Sequence, residues 1–98
     1  MSTAKRLATE GLEFARASRY RTEVLLALHG IGGGLTATDL AGRRDLDERS
    51  VWRAVDELTE RGLVEPHPDH ERGRGCPYVC TDDGATVATF LTERDADA

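Results

Sequence analysis

Four side chains in the second half of the chain, His67, His70, Cys76 and Cys80, are of the types that ligate transition metals. Their spacing, His-x2-His-x5-Cys-x3-Cys, is not that of a zinc finger. If 76–80 is a strand, its cysteines share a face but stand about 13 Å apart, too far for one ion. The same separation excludes a disulfide, which needs Cα atoms within about 7 Å. Cys80 fits the small buried hydrophobe that cysteine often is. Cys76 is expected to be exposed, which leaves thiol oxidation as the chemistry open to it. His29 reads as a surface or capping histidine. Ser18 and Ser50 have no His/Asp arrangement near them in sequence, and no paired carboxylates form a glycosidase or metal motif. Neither catalysis nor a cofactor is expected. The glycines at 30 and 32–34 follow a helix and have no lysine near them, whereas a phosphate cradle follows a strand and opens a helix. They read as a link.

The cations are more informative. Of 13 basic residues only Lys5 is a lysine, and the arginines cluster as Arg43-Arg44, Arg49 with Arg53, and Arg72 with Arg74 between glycines. Eighteen acids leave a net charge of −5, which argues mildly against nucleic acid. Contact depends, however, on where the basic groups sit rather than on their sum. The arginine skew fits a GC-rich genome and the acidic balance a salt-adapted cytoplasm, archaeal or otherwise halophilic; an ordinary source stays equally open. Ninety-eight residues suit one domain with a modest core. No window approaches the roughly 18 apolar residues of a membrane span, and the first residues lack the apolar run of a signal peptide. The expectation is a cytoplasmic protein that has no membrane partner.

Position must come from the elements. Residues 3–17 read as a helix with Leu7, Ala8, Gly11, Leu12, Phe14 and Ala15 on a broad apolar side, either packed on its own domain or serving as a dimerisation arm. Ser18 caps a second helix, Arg19 to His29, which Gly30 stops. A short strand is expected around Leu35-Thr36. Thr36 with Asp39 has the pattern of a capping box before a short helix. Asp47 caps a longer one, Glu48 to Arg61, whose Val51, Ala54, Val55 and Leu58 form one stripe at helical spacing. Gly62 suits its left-handed C′ position. Residues 63–67 and 77–80 read as two strands around a polar hairpin tip, 68–76. Thr81 caps a last helix, Asp82 to about Arg94, ahead of a frayed tail.

Two helices joined by so short a turn are a helix-turn-helix candidate, and a hairpin directly after the second helix makes the winged arrangement. At this point the chain resembles the winged helix-turn-helix regulators of bacteria and archaea, and is similar to small regulators of the MarR, PadR and ArsR kinds. The residues that carry the resemblance are Leu35 to Ala41, Ser50 to Leu58, Arg61 to Val64, the wing Arg72-Gly73-Arg74-Gly75, and Tyr78 to Gly84 with its Thr-x-x-Gly helix start. They cover about residues 18–91. The resemblance implies an α+β winged helix-turn-helix, one domain over 1–98, with an N-terminal helix (1–17), core and wing (18–81) and a C-terminal helix (82–98).

It also implies that the helix from Glu48 lies in the major groove of double-stranded DNA. Arg49, Ser50, Trp52 and Arg53 would then face DNA, and Arg43 and Arg44 in the turn would meet phosphates. Arg53 is the candidate for a base edge, because a guanidinium pairs bidentately with guanine O6 and N7. Arg72 and Arg74 would approach the minor groove or its flanking phosphates. Trp52 would touch a thymine methyl or a sugar, or pack on a partner. Asp47, Glu48 and Asp56 crowd this surface with charge that repels phosphate. The expected function is that of a sequence-specific transcription regulator, a repressor, acting as a homodimer through the N-terminal helix, the C-terminal helix, or both. The alternative is a winged helix used as a protein-interaction module in transcription or chromosome machinery, which the acids and an exposed Trp52 would favour.

Overall fold

A computed structural model describes the backbone of residues 3–68 and 75–97 and the side chains of 10–68 and 75–93. The hairpin tip, with His70, Arg72 and Arg74, lies outside the described residues, as do the side chains of Leu7 and Ala8. The element order is α1 (Thr3–Arg16), α2 (Arg19–Ile31), α3 (Ala37–Arg44), α4 (Glu48–Glu60), β1 (Val64–Pro66), β2 (Tyr78–Cys80) and α5 (Asp82–Asp97). This is the expected α+β winged helix-turn-helix. No described helix is long and apolar enough to cross a membrane.

Local chemistry sets most boundaries. Ser18 accepts from the Arg21 backbone N–H at the start of α2, and both bonds of the Thr36/Asp39 capping box are present at α3. The end of α2 differs from expectation. Gly30 lies inside the helix, and Gly32 takes the left-handed conformation (φ 66°) while its N–H donates to the Leu28 carbonyl. A glycine within a helix costs only about 1 kcal/mol relative to alanine, so the glycine that reverses the chain, not the first one met, ends it. α5 likewise continues past Arg94 to Asp97. The strands are shorter than expected, three residues each, paired antiparallel with Val64 opposite Cys80 and Pro66 opposite Tyr78. The strand expected at Leu35-Thr36 is a single bridge, Leu35 to Tyr78, held by both backbone bonds.

The core lies where α2, α3 and α4 meet the hairpin, and it is filled by Leu25, Leu28, Leu40, Val51, Leu58 and Tyr78. α5 packs back over α1 and α2. Its start is bolted to the end of α4. The Thr81 hydroxyl donates to the Gly62 carbonyl (2.6 Å) and accepts from the Gly84 N–H (3.0 Å), and the Thr81 N–H donates to Leu63 (3.1 Å). Gly84 completes this joint, because a Cβ there would collide with the Leu63 carbonyl. The Thr-x-x-Gly pattern is thus a hydroxyl clip plus the room for it to close. Gly84→Ala should lower stability by about 2–3 kcal/mol and Tm by roughly 10–20 °C; an unchanged thermal melt would show that α5 does not sit this close to the Leu63 backbone.

Candidate nucleic-acid interface

The surface that α3, its turn and α4 present is set by five local bonds. Asp45, at φ 53°, closes α3 with its N–H on the Ala41 carbonyl, a left-handed position that a short polar residue tolerates. The Leu46 N–H reaches the same carbonyl at 2.9 Å. Asp47 then caps α4, its Oδ2 accepting from both the Ser50 N–H and the Ser50 hydroxyl at 3.0 Å. These bonds to Ser50, backbone first, hold the Asp47 carboxyl below the usual carboxylate range. One residue on, Glu48 accepts the Thr38 hydroxyl at 2.6 Å, joining the two helices of the motif. Two of the three acids that crowd the sequence of this surface are therefore committed to the fold.

Val51, Ala54, Val55 and Leu58 are buried as their spacing predicts, which turns Arg49 and Arg53, one helical turn apart, outward. Arg43, Arg49 and Arg53 are exposed and make no ion pair among the described residues. Arg44 differs: it meets Glu23 of α2 at 3.3 Å. Such a surface pair is worth about 0–1 kcal/mol, weak enough for a phosphate to displace. Ser50 donates its hydroxyl proton within its own cap, so its candidate role rests on the helix terminus rather than on a free hydroxyl.

Trp52 differs from these arginines. Expected as an exposed side chain, it is half-buried and packs edge-on against Tyr78, ring centroids 6.3 Å apart and planes at 90°. The stripe of α4 curls far enough for position 52 to reach the hairpin, and the large ring gains more from packing there than from water. Cys76, also expected to be exposed, is buried. The strand begins only at Tyr78, and the loop before it turns the thiol inward, where it donates to the Pro77 carbonyl at 3.2 Å. Cys80 is half-buried near the Leu25 carbonyl, and burial pushes its thiol up to about 11, which suppresses the reactive thiolate. Both cysteines are free.

Sequence reasoning missed a cluster beside this surface. Arg21 of α2 binds both carboxylate oxygens of Glu57 on α4, and its guanidinium lies over the ring of Phe14 in α1. Residues so far apart in the chain give no periodic signal that they meet.

Because folding depresses the Asp47 pKa, its contribution to stability is complete above the unfolded value and is lost as pH falls through the lower folded one. Asp47→Ala should therefore melt at a lower temperature than the parent chain near neutral pH, and the gap should close below about pH 4. A gap that persists in acid would assign the loss to something other than the ionised cap.

A model of the MarR family matches residues 18–74, more than half of the chain and the span from the α2 cap into the wing. Comparison with curated protein sequences gives no match. Solved structures share the fold. The adhesin competence repressor AdcR of Streptococcus pyogenes superposes with a TM-score of 0.68 at 20% identity over 82% of this chain and 58% of its own. MepR of S. aureus, solved in complex with DNA, gives 0.69 at 20% identity over 95% and 76%. The reduced form of MarR from E. coli gives 0.69 at 23% identity over 95% and 68%. The chain spans less than two thirds of the length of AdcR, and at these identities the likeness is one of fold. The order of elements, the buried stripe of α4 and the match over 18–74 lead to one statement: the chain belongs to the MarR family of winged-helix proteins.

Proposed function

We propose that the protein is a sequence-specific double-stranded DNA-binding transcription regulator, a cytoplasmic repressor. α4 enters the major groove, with Arg53 on a base edge and Arg49 beside it. Ser50 and the α4 N-terminus, together with Arg43 and Arg44, take backbone phosphates. The wing, 68–76, brings Arg72 and Arg74 to the minor groove or its flanking phosphates. The observation that carries this reading is a set of exposed guanidiniums, Arg43, Arg49 and Arg53, none in an ion pair among the described residues. It lies beside acids, Asp47 and Glu48, that are already bonded to Ser50 and Thr38. Family membership supports it, as do neighbours such as MepR that have been solved with DNA. The interaction-module reading loses its main support, since Trp52 is packed on Tyr78 rather than offered to a partner.

Selection of bound sequences from random double-stranded DNA tests the proposal. It should enrich one motif. Arg53→Ala should then relax preference at one base position at a cost of about 1–3 kcal/mol. Arg72→Ala/Arg74→Ala should weaken binding evenly across sequences and flatten the salt dependence. No enrichment at any salt concentration would sink the proposal.

The regulator acts as a homodimer through α1, α5 or both, with two α4 helices meeting half-sites about 34 Å apart. Phe90 on α5, one of two large hydrophobics left exposed among the described residues, supports a partner on that helix. Sedimentation equilibrium should give a dimer; a monomer at high micromolar concentration, with and without DNA, would remove the claim.

A further inference from the structure

We propose that Arg21 is a positioning residue for α4: with Phe14, Glu57 and Arg61 it fastens α1 to the C-terminal half of α4, so that the two helices move as one body. Arg21 lies on α2, between them. Its Nη1 donates to the Phe14 carbonyl at 2.9 Å, while Nε and Nη2 donate to the two carboxylate oxygens of Glu57 at 3.4 and 3.0 Å. The guanidinium carbon stands 3.9 Å from the centroid of the Phe14 ring, and that of Arg61, the residue that caps α4, stands 4.4 Å from the same centroid. One aromatic ring of α1 is therefore held by two cations, and the carboxylate on α4 offsets their mutual repulsion.

The chemistry is particular to these groups. The ring face attracts a cation through its quadrupole. A guanidinium alone offers a flat face to the ring and, in its own plane, a fork of donors for a carboxylate. The Arg21 side chain is 17% exposed and that of Glu57 36%, so the pair is partly shielded from the screening that weakens surface pairs. The contacts to α4 fall at Glu57 and Arg61, its C-terminal end, whereas Arg49 and Arg53 occupy the other end. A helix of 13 residues is about 20 Å long. The anchor at one end therefore acts with the buried stripe Val51, Ala54, Val55 and Leu58 to set the direction in which the other end points. Phe14 lies before the span 18–74 that matches the family model. The anchor thus ties a segment outside that span to the helix inside it, and whatever α1 packs against is felt by α4. The effect on DNA rests on the function proposed above; the mechanical coupling does not.

The full chain is compared with Phe14→Leu, Phe14→Tyr, Arg21→Gln and Glu57→Gln by site-resolved amide hydrogen exchange and by binding to the selected DNA over a salt series. Phe14→Leu and Arg21→Gln should speed exchange in α1 and the last turn of α4 while β2 and α5 keep their protection. Both should weaken binding about three- to thirtyfold without changing its salt slope, and Phe14→Tyr, which keeps the ring face, should behave as the parent chain. Should Phe14→Leu fail to fold, Glu57→Gln carries the same test, since it keeps the shape and removes the charge. Exchange unchanged in α4, or raised equally in every element, would overturn the proposal. A smaller salt slope in Arg21→Gln would overturn it too, by making Arg21 a phosphate contact. If the parent chain binds no DNA the proposed function fails, and the exchange pattern alone then decides whether the clamp exists.

Discussion

Tyr78 is the point at which this small fold is tied together. Its backbone is bonded on one side to Leu35, in the link before α3. On the other side it stands opposite Pro66 of β1. Its ring is almost fully buried and meets the edge of Trp52 on α4. One residue therefore holds the hairpin, the entry to the helix-turn-helix and the second helix of the motif in fixed relation. A two-stranded hairpin is marginal alone in water. Three-residue strands persist here because the central strand is clamped from both sides and roofed by an aromatic pair. The direction in which β1 and β2 leave the core is set by that clamp.

Charge is handled in a comparable way. A net charge of −5 does not decide what one face of the chain presents, because the field there depends on where each charge sits. Asp47 and Glu48 lie at the positive end of α4, where the helix dipole favours them, and both accept hydrogen bonds from the motif itself. Glu57 is turned the other way, toward Arg21. The same arginine-rich composition therefore serves two ends. Arg21 and Arg61 hold the Phe14 ring between helices, while Arg43, Arg49 and Arg53 are exposed and outside any ion pair among the described residues. Which arginine belongs to which set depends on whether an aromatic ring or a carboxylate from a distant part of the chain comes near.

The sequence by itself determined the local elements. Caps at Ser18, Thr36, Asp47 and Thr81 and the stripe Val51, Ala54, Val55, Leu58 are short-range patterns: each bond joins residues three or four apart, so spacing along the chain is spacing in space. Arg49 and Arg53 are legible as outward-facing for the same reason. Only the tertiary structure decided the rest. Gly32 rather than Gly30 ends α2 because a turn is chosen by where the chain must go next. Cys76 is buried and Trp52 is drawn onto Tyr78 because a neighbour from another element was there to cover them. The Arg21–Glu57 pair joins positions 36 residues apart, and no periodicity along a chain encodes a meeting of that kind. Packing alone brings them together.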